Sequence, residues 1–488
     1  MKLNQLLEGI MNELPAEAGL INIKGITNDS REVAEGYLFV AISGYKVDGH
    51  DYIESAIKAG AAAIIGEKDE TGINMDIPYI RVADGRRALA ELARKFYNPH
   101  KDKKTIIGIT GTNGKTTTSF MLKHILEQAG STCALFGSVY NIINGEIEES
   151  TVNTTMDALA MQKALHKSKD EYVIMEVSSH ALSQYRVEGI EYDITVFTNL
   201  DHDHLDYHKN MEDYFLTKAK LFEKLKPGGN AIVHIGDQWG SRLAGMLADE
   251  DRINLYTIGK VNADLCIRTG SRNEMELIED SGLRLPIVLP IMGKHNGQNA
   301  ALAYQAARTL GLNPNEIIDA LKSFIGVPGR FEVQKLPNGA TFVIDYAHTG
   351  EAFSHCLNTA REMGAERVIH IFGFRGDRDK SKRKNMVDIS MLLSDFYILT
   401  LDDLDSESKE EMANILHNLN ASKKGVVILD RTKAIEYACR HSNAGDWILI
   451  TGKGDEKYHL SYALPTSSDK ETVEYVVGEQ ELRVMANG

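Results

Sequence analysis

Gly108-Ile109-Thr110-Gly111-Thr112-Asn113-Gly114-Lys115-Thr116-Thr117 is the stretch on which the reading of this chain turns. The run that leads into it, Thr105–Thr110, is β-branched and apolar and predicts a strand. After it, apolar residues recur at helical spacing from about Thr116 to Gln128. Strand, glycine loop and helix in that order form an anion cradle. Glycines let the backbone wrap a phosphate, and the helix N-terminus presents N–H groups without intrahelical partners. Lys115 adds a cation and the Thr116 hydroxyl suits Mg²⁺. Ile109 stands where the first glycine of GxxxxGK[ST] belongs, so the loop departs from the strict pattern. A glycine-rich turn with an exposed lysine is the bland alternative; the strand–loop–helix setting favours nucleotide phosphates, with Gly111, Thr112, Asn113, Gly114, Lys115, Thr116 and Thr117 as binding residues.

Outward from the loop, strand and helix patterns alternate. Tyr37–Ile42 reads as a buried strand, His50–Ala59 as a helix and Ala61–Ile65 as the next strand. Tyr172–Val177 and Ile194–Asn199 continue the alternation, the signature of a parallel sheet built from βαβ units. Beyond Val327-Pro328-Gly329-Arg330, further strands are predicted at Thr341–Ile344, Arg367–Phe372, Phe396–Thr400, Val426–Leu429 and Trp447–Ile450. The polar stretch Asn98–Lys104 and the turn at 327–330 mark two joints. The prediction is an α/β chain of three domains, 1–100, 101–328 and 329–488: a central P-loop parallel-sheet domain between two others, the last doubly wound and Rossmann-like.

Length and composition agree with that division. A chain of 488 residues is about three domains at roughly 150 residues each. Its formal charge of −15 argues against nucleic acid as a partner, because a basic surface is needed to displace counterions. Cys133, Cys266, Cys356 and Cys439 lie far apart without a CxxC, against zinc or a disulfide framework. The first residues lack a signal-peptide core and no apolar run is long enough to span a membrane. A soluble, cytoplasmic protein with no membrane partner is expected.

The loop TGTNGKT resembles that of the Mur ligases and their folylpolyglutamate synthetase relatives, and the resemblance runs along nearly the whole chain. Asn28-Asp29-Ser30-Arg31, Gly36–Ala41 and Asp48-Gly49-His50 are similar to the uridine-binding N-terminal domain of the ligases that add the third peptide residue. Asn153-Thr154-Thr155 resembles the loop holding the muramoyl-peptide, with Met156 for the usual proline. Glu176–Leu182 is similar to MEVSSHAL and is followed by Gln184 and Arg186. The resemblance implies that Ser30, Asn153, Thr154, Thr155, Ser178, Gln184 and Arg186 contact the UDP-muramoyl-dipeptide and that Glu176 is a Mg²⁺ ligand. Glu176 also falls at the end of a predicted strand, where α/β folds gather ligands, and an arginine offers a carboxylate two donors.

Asp201-His202-Asp203-His204-Leu205-Asp206-Tyr207-His208 invites a zinc reading, but it lacks thiolates and the HExxH spacing. It resembles the family's DHLDYH, which makes His204 a magnesium ligand. Tyr214–Phe222 resembles the helix whose lysine, here Lys218, is carbamylated; an ordinary exposed lysine is the alternative. By the same resemblance Asn296, Arg330 and Asp345 lie on the ATP side. Lys115, Glu176, His204 and Lys218 are then the catalytic set, and Thr116, Glu176, His204 and carbamylated Lys218 the metal set. Phe372–Asp379 is similar to FGCGGDRD with Phe374-Arg375 for Cys-Gly.

The family chemistry is phosphoryl transfer from ATP to a carboxylate, then attack on the acyl phosphate by an amino acid's amine. Ligases of diaminopimelate carry Asp-Asn-Pro-Arg where this chain has Asp402-Asp403-Leu404-Asp405, so an acid replaces a cation. Gly452-Lys453-Gly454-Asp455-Glu456 resembles GKGHE with Asp455 for histidine. An acidic pocket of Asp402, Asp403, Asp405, Gly452, Asp455 and Glu456 predicts L-lysine or another diamino acid; a solvated loop is the alternative. Two rival functions remain. One is a Mur-like amide ligase recruited to a different carboxylate acceptor, and the other a nucleotide-binding regulator without catalysis.

Overall fold

The computed structural model describes residues 1–10, 18–44, 47–69, 76–97, 104–148, 153–270, 273–420 and 424–487. Most of the predicted joint at Asn98–Lys104 lies outside them. The chain packs as two compact units. One comprises Met1–Thr110, Gly130–Thr195 and Thr217–Gly229; the other comprises Gly111–Ala129, Val196–Leu216 and Asn230–Gly488.

In the first unit, strands Gly25–Thr27, Tyr37–Val40, Ala61–Gly66 and Tyr79–Arg81 form a parallel sheet in sequence order. Leu38, Val40, Ala63 and Ile65 face one apolar core, and Phe39, Ala61 and Ile64 face another. Alternate residues point to opposite faces of a strand, so two cores require apolar residues throughout. Where a single helix is predicted over His50–Ala59, a 3-10 turn Gly49–Tyr52 precedes helix Ile53–Lys58. Asp48 causes the tight start by accepting from His50 N at 3.0 Å and from its ring at 2.6 Å.

The same unit holds strands ordered Thr105–Thr110, Tyr172–Glu176, Cys133–Phe136, Asn141–Ile143 and Glu146–Glu148. The first three are parallel, as predicted, and the last two antiparallel. Strands Tyr192–Phe197 and Leu225–His234 begin in the first unit and end in the second.

In the second unit Asn254–Gly259 and Leu265–Thr269 continue in parallel, but Glu274–Glu279 and Arg284–Val288 turn antiparallel. Sequence reading misses this extension, whose short strands alternate buried and exposed residues around charged ones. The third sheet runs Glu332–Lys335, Thr341–Asp345, Asp446–Thr451, Arg367–Phe372, Phe396–Leu399, Gly425–Val427, parallel except for the first strand. Val343, Trp447 and Leu449 face one core while Phe342, Ile344, Ile448 and Ile450 face the other. That two-sided burial is the doubly wound architecture predicted.

Candidate functional site

In the second unit, residues 111–114 lead into helix Lys115–Gln128 with Gly114 as its N-cap at φ +83°, without a side-chain cap. A Cβ on Gly114 would stand 2.3 Å from Asn299 Oδ1, and one on Gly111 would stand 1.9 Å from Thr198 Oγ1. Both positions therefore need glycine. Asn113 is pinned by donating its N–H to Asn199 Oδ1 (2.9 Å) and accepting at its carbonyl from Thr198 Oγ1 (2.6 Å). Lys115 Nζ curls back onto the carbonyls of Gly111 and Thr112, each at 2.9 Å. Thr112 Oγ1 lies 3.2 Å from the Tyr214 hydroxyl, and Thr116 and Thr117 are buried. The helix thus starts without a side-chain cap, the arrangement in which a helix N-terminus attracts an anion, and the lysine lies over the same loop.

Asn296 is buried and accepts from Asn299, whose Oδ1 lies 3.4 Å from Thr118 Oγ1, so the predicted ATP-side asparagine reaches the loop through a second one. Arg330 Nη2 lies 3.4 Å from Thr116 Oγ1, with its guanidinium 4.0 Å above the Tyr346 ring. Asp345 accepts from the amides of Phe331 and Ala347, each at 2.6 Å, and so clamps the 329–331 turn rather than standing open.

His204 has φ +56° and packs edge-on to Tyr214. Its Nε2 is 3.5 Å from Asp203 Oδ2. Asp203 is buried and also meets His348 Nε2 at 3.4 Å and Lys382 Nζ at 3.1 Å. Burial alone would raise the Asp203 carboxyl, but His204, His348 and Lys382 hold it well below the usual carboxylate range. A carboxylate behind the imidazole is the usual support of a histidine that ligates metal. Asp201 differs: burial first, then a hydrogen bond to Glu351, push it up to about 6.

The predicted acidic pocket is not uniformly acidic. Asp402 and Asp403 are buried, and Lys453 Nζ lies 3.4 Å from Asp402 Oδ1 and 2.6 Å from Asp403 Oδ2. Burial opposes ionisation of Asp402, but Arg431 and Lys453 outweigh it and lower its pKa. Arg375 approaches Asp403, Asp405 and Glu456. Gly452, at φ +111°, donates to Asp345 O, and a Cβ there would meet Asp402 Oδ2 at 2.8 Å. Asp455 stands apart from Arg375: burial raises its pKa, Glu332 adds to the rise, and Lys470 and Arg330 oppose it.

In the first unit the muramoyl-loop residues and the MEVSSH segment do come together. Thr155 Oγ1 donates to Glu176 O at 2.8 Å and accepts from Ser178 N at 3.1 Å. Arg186 donates to Thr155 O and to Gln184 Oε1, each at 2.9 Å, and so ties the loop beside Met156 to the segment after Leu182. Glu176 is buried and accepts from Ser138 N (3.1 Å) and Ser138 Oγ (3.0 Å), and Ser138 Oγ also lies 3.1 Å from Thr154 Oγ1. A Cβ on Gly137 would come within 2.2 Å of Glu176 Oε1. Asn153 is exposed. Lys218 is 1% exposed on helix Met211–Glu223, so the exposed-lysine alternative does not hold. Ser30 opens the 3-10 turn capped by Asp29. Ser138 and Lys382 are missed by motif reading, because single polar residues between motifs carry no periodic signal, and Arg375 is read only as a departure from the family pattern.

Comparison with known proteins follows these sites. Residues 22–97 match the Mur ligase family catalytic domain, 109–307 the Mur ligase middle domain and 329–454 the Mur ligase glutamate ligase domain. The chain is 36% identical to the UDP-N-acetylmuramoyl-L-alanyl-D-glutamate--2,6-diaminopimelate ligase of Caldanaerobacter subterraneus subsp. tengcongensis, covering 99% of this chain and 100% of that one. It is 38% identical to the ligase of the same name from Bacillus velezensis, covering 94% and 95%. A solved structure of a ligase of that name superposes with TM-score 0.68 at 28% identity, covering 99% and 100%. The MurF ligase of Thermotoga maritima in complex with ADP shares the fold, with TM-score 0.65 at 20% identity over 97% of this chain and 100% of that one.

Proposed function

Because the chain belongs to the Mur ligase family of ATP-dependent amide ligases, we propose that it joins a diamino acid, as third peptide residue, to UDP-N-acetylmuramoyl-L-alanyl-D-glutamate in the cytoplasm. The observation that carries the reading is the 111–117 loop, shaped by two glycines that admit no Cβ and opening onto an uncapped helix start. On this reading the labour is divided over domains 1–100, 101–328 and 329–488: uridine recognition around Ser30, ATP and acyl transfer in the centre, and the amino acid at 402–405 and 452–456.

The reaction runs through an acyl phosphate. The substrate carboxylate takes the γ-phosphoryl group of ATP and releases ADP; the amine then attacks the acyl carbon and expels phosphate. Lys115 neutralises phosphate charge once it swings from its two loop carbonyls, and Arg330 is set beside Thr116 by its stack on Tyr346. One well-placed electrostatic donor is worth roughly 3–4 kcal/mol of transition-state stabilisation. Arg186, braced by Gln184 and Thr155, and Ser178 orient the dipeptide.

The donor chemistry fits magnesium. Glu176 in the first unit, and His204 and the Thr116 hydroxyl in the second, are donors of the hard or borderline kind that suits that ion. Bound Mg²⁺ supplies charge stabilisation at the transferring phosphoryl group. Carbamylation of Lys218 turns a buried cation into an anion able to join that set, and its 1% exposure supports the reading. No helix among the described residues is long and apolar enough to cross a membrane.

The test is phosphate release from ATP with UDP-muramoyl-dipeptide and each amino acid of a panel. Release that needs both co-substrates and is highest with a diamino acid is the expected result. Release with another carboxylate in place of the muramoyl-dipeptide favours the recruited ligase, and no release with any pair overturns the reading.

A further inference from the structure

We infer that Arg375 is a specificity-determining residue of the amino-acid site, offering its guanidinium to a carboxylate on the distal end of the incoming amino acid. The inference rests on the reading of 402–405 and 452–456 as that site.

Two layers of charge explain why. In the inner layer, Asp402, Asp403 and Lys453 are buried, and Asp403 also accepts from His459 N at 3.3 Å. Lys453 at 2.6 Å already neutralises Asp403, so the fold does not need a second cation there. The outer layer consists of Arg375, Asp405 and Glu456, whose side chains are 27%, 38% and 35% exposed and so within reach of a solute. Arg375 Nη2 lies 3.2 Å from Asp403 Oδ2 and 3.6 Å from Glu456 Oε2, and its Nε lies 3.9 Å from Asp405 Oδ2. Among the described residues the Arg375 guanidinium makes its one hydrogen bond through Nη2, to Asp403, which leaves Nη1 and the Nη1–Nη2 edge to receive a carboxylate.

The backbone brings the two loops to this register. A Cβ on Gly376 would stand 1.8 Å from Leu404 O, and Gly376 N donates to Asp403 O at 2.8 Å, so only glycine lets the 375–376 segment lie against 403–405. Phe374 anchors the loop from inside: it is buried, with the Arg383 guanidinium 5.8 Å from its ring. Thus Phe374-Arg375, the pair standing where the family pattern has Cys-Gly, supplies one anchor and one cation.

One guanidinium beside two carboxylates complements an ammonium and a carboxylate on the same carbon. The ammonium meets Asp405 and Glu456, and the carboxylate meets Arg375. A lone ammonium, as on lysine, would bring a second cation to carboxylates that Arg375 already holds. On this inference Asp405 does not turn a distal carboxylate away, since the cation absent from position 405 arrives from position 375.

L-Lysine is diaminopimelate without the distal carboxylate, so the pair isolates the interaction. kcat and KM for both are measured by phosphate release with ATP and UDP-muramoyl-dipeptide, for wild type, Arg375→Met and Arg375→Lys. Wild type prefers diaminopimelate. Losing a charge-assisted hydrogen bond costs Arg375→Met about 10- to 100-fold in the diaminopimelate-to-lysine ratio of kcat/KM, mostly through KM for diaminopimelate. Arg375→Lys, which keeps the charge without the fork, recovers part of that ratio. Thermal unfolding and KM for ATP report any merely structural effect. Active variants whose ratio stays at the wild-type value overturn the inference alone. A wild type that turns over neither amino acid overturns the reading of the reaction and, with it, the role of Arg375.

Discussion

Replacing Asp469 by asparagine is expected to unfold the second unit at markedly lower denaturant. Arg431 and Asp469 are both fully buried, joined by Nε–Oδ1 and Nη2–Oδ2 contacts of 2.7 Å each. Arg431 Nη2 also donates to Thr451 O at 3.0 Å and Tyr458 donates its hydroxyl to Asp469 at 2.9 Å, while Nη1 is buried without a hydrogen-bond partner. Removing the carboxylate charge therefore leaves a buried guanidinium without its paired charge, and breaking such a buried pair costs about 3–5 kcal/mol. Asp402, the other acid near Arg431, offsets some of this and places the expected loss near the lower end, about 3 kcal/mol. With a urea dependence of about 1–3 kcal/mol per M, the midpoint falls by roughly 1–3 M. The chain has two tryptophans, Trp239 and Trp447. In a Trp239→Phe background, fluorescence follows Trp447 on strand Asp446–Thr451, the strand that carries the Thr451 carbonyl. The double variant Arg431→Met/Asp469→Leu should lie within about 1 kcal/mol of wild type, because apolar replacement of both partners removes desolvation and attraction together. A loss below about 1 kcal/mol for Asp469→Asn would refute the reasoning.

Three further outcomes are expected. Lys115→Ala abolishes ligation with little change in the melting profile, since Gly111 and Gly114 shape the loop and Lys115 leaves its two loop carbonyls to meet phosphate; turnover above a few per cent of wild type contradicts that role. Lys218→Ala is inactive and partly rescued by small carboxylic acids, whereas a mass spectrum and active-site map showing unmodified Lys218 with ATP and Mg²⁺ bound would exclude the carbamate. His370, buried between Ser390 and Thr451 hydroxyls at 2.8 and 3.0 Å, has its pKa pushed by burial down to about 3. Because the folded value is depressed from an ordinary 6.5, its stabilising contribution is complete above that pH and is lost as pH falls toward 3. His370→Gln should therefore flatten the decline of the urea midpoint between pH 7 and 4.5, and an unchanged slope would show that other groups cause it.

Much of this protein is determined by sequence alone, wherever a local rule acts. Apolar residues throughout Tyr37–Val40 and Trp447–Ile450 require burial on both faces and hence parallel sheets under helices. The glycines at 111 and 114 have no other economical use than a close backbone turn before a helix. Even the meeting of Thr155 and Arg186 is foreshadowed, because the family resemblance assigns both to one substrate. Tertiary structure alone decided the rest. The acids at 402–405 read as a negative pocket when scored by position, but charge is neutralised through space, and their partners Lys453 and Arg375 arrive from segments 50 and 28 residues distant from Asp403. Asp203 likewise acquires Lys382 from 179 residues further on. Burial and Coulomb attraction depend on distances between side chains that no local spacing specifies, so the sign of a pocket emerges only once the loops have been folded against one another.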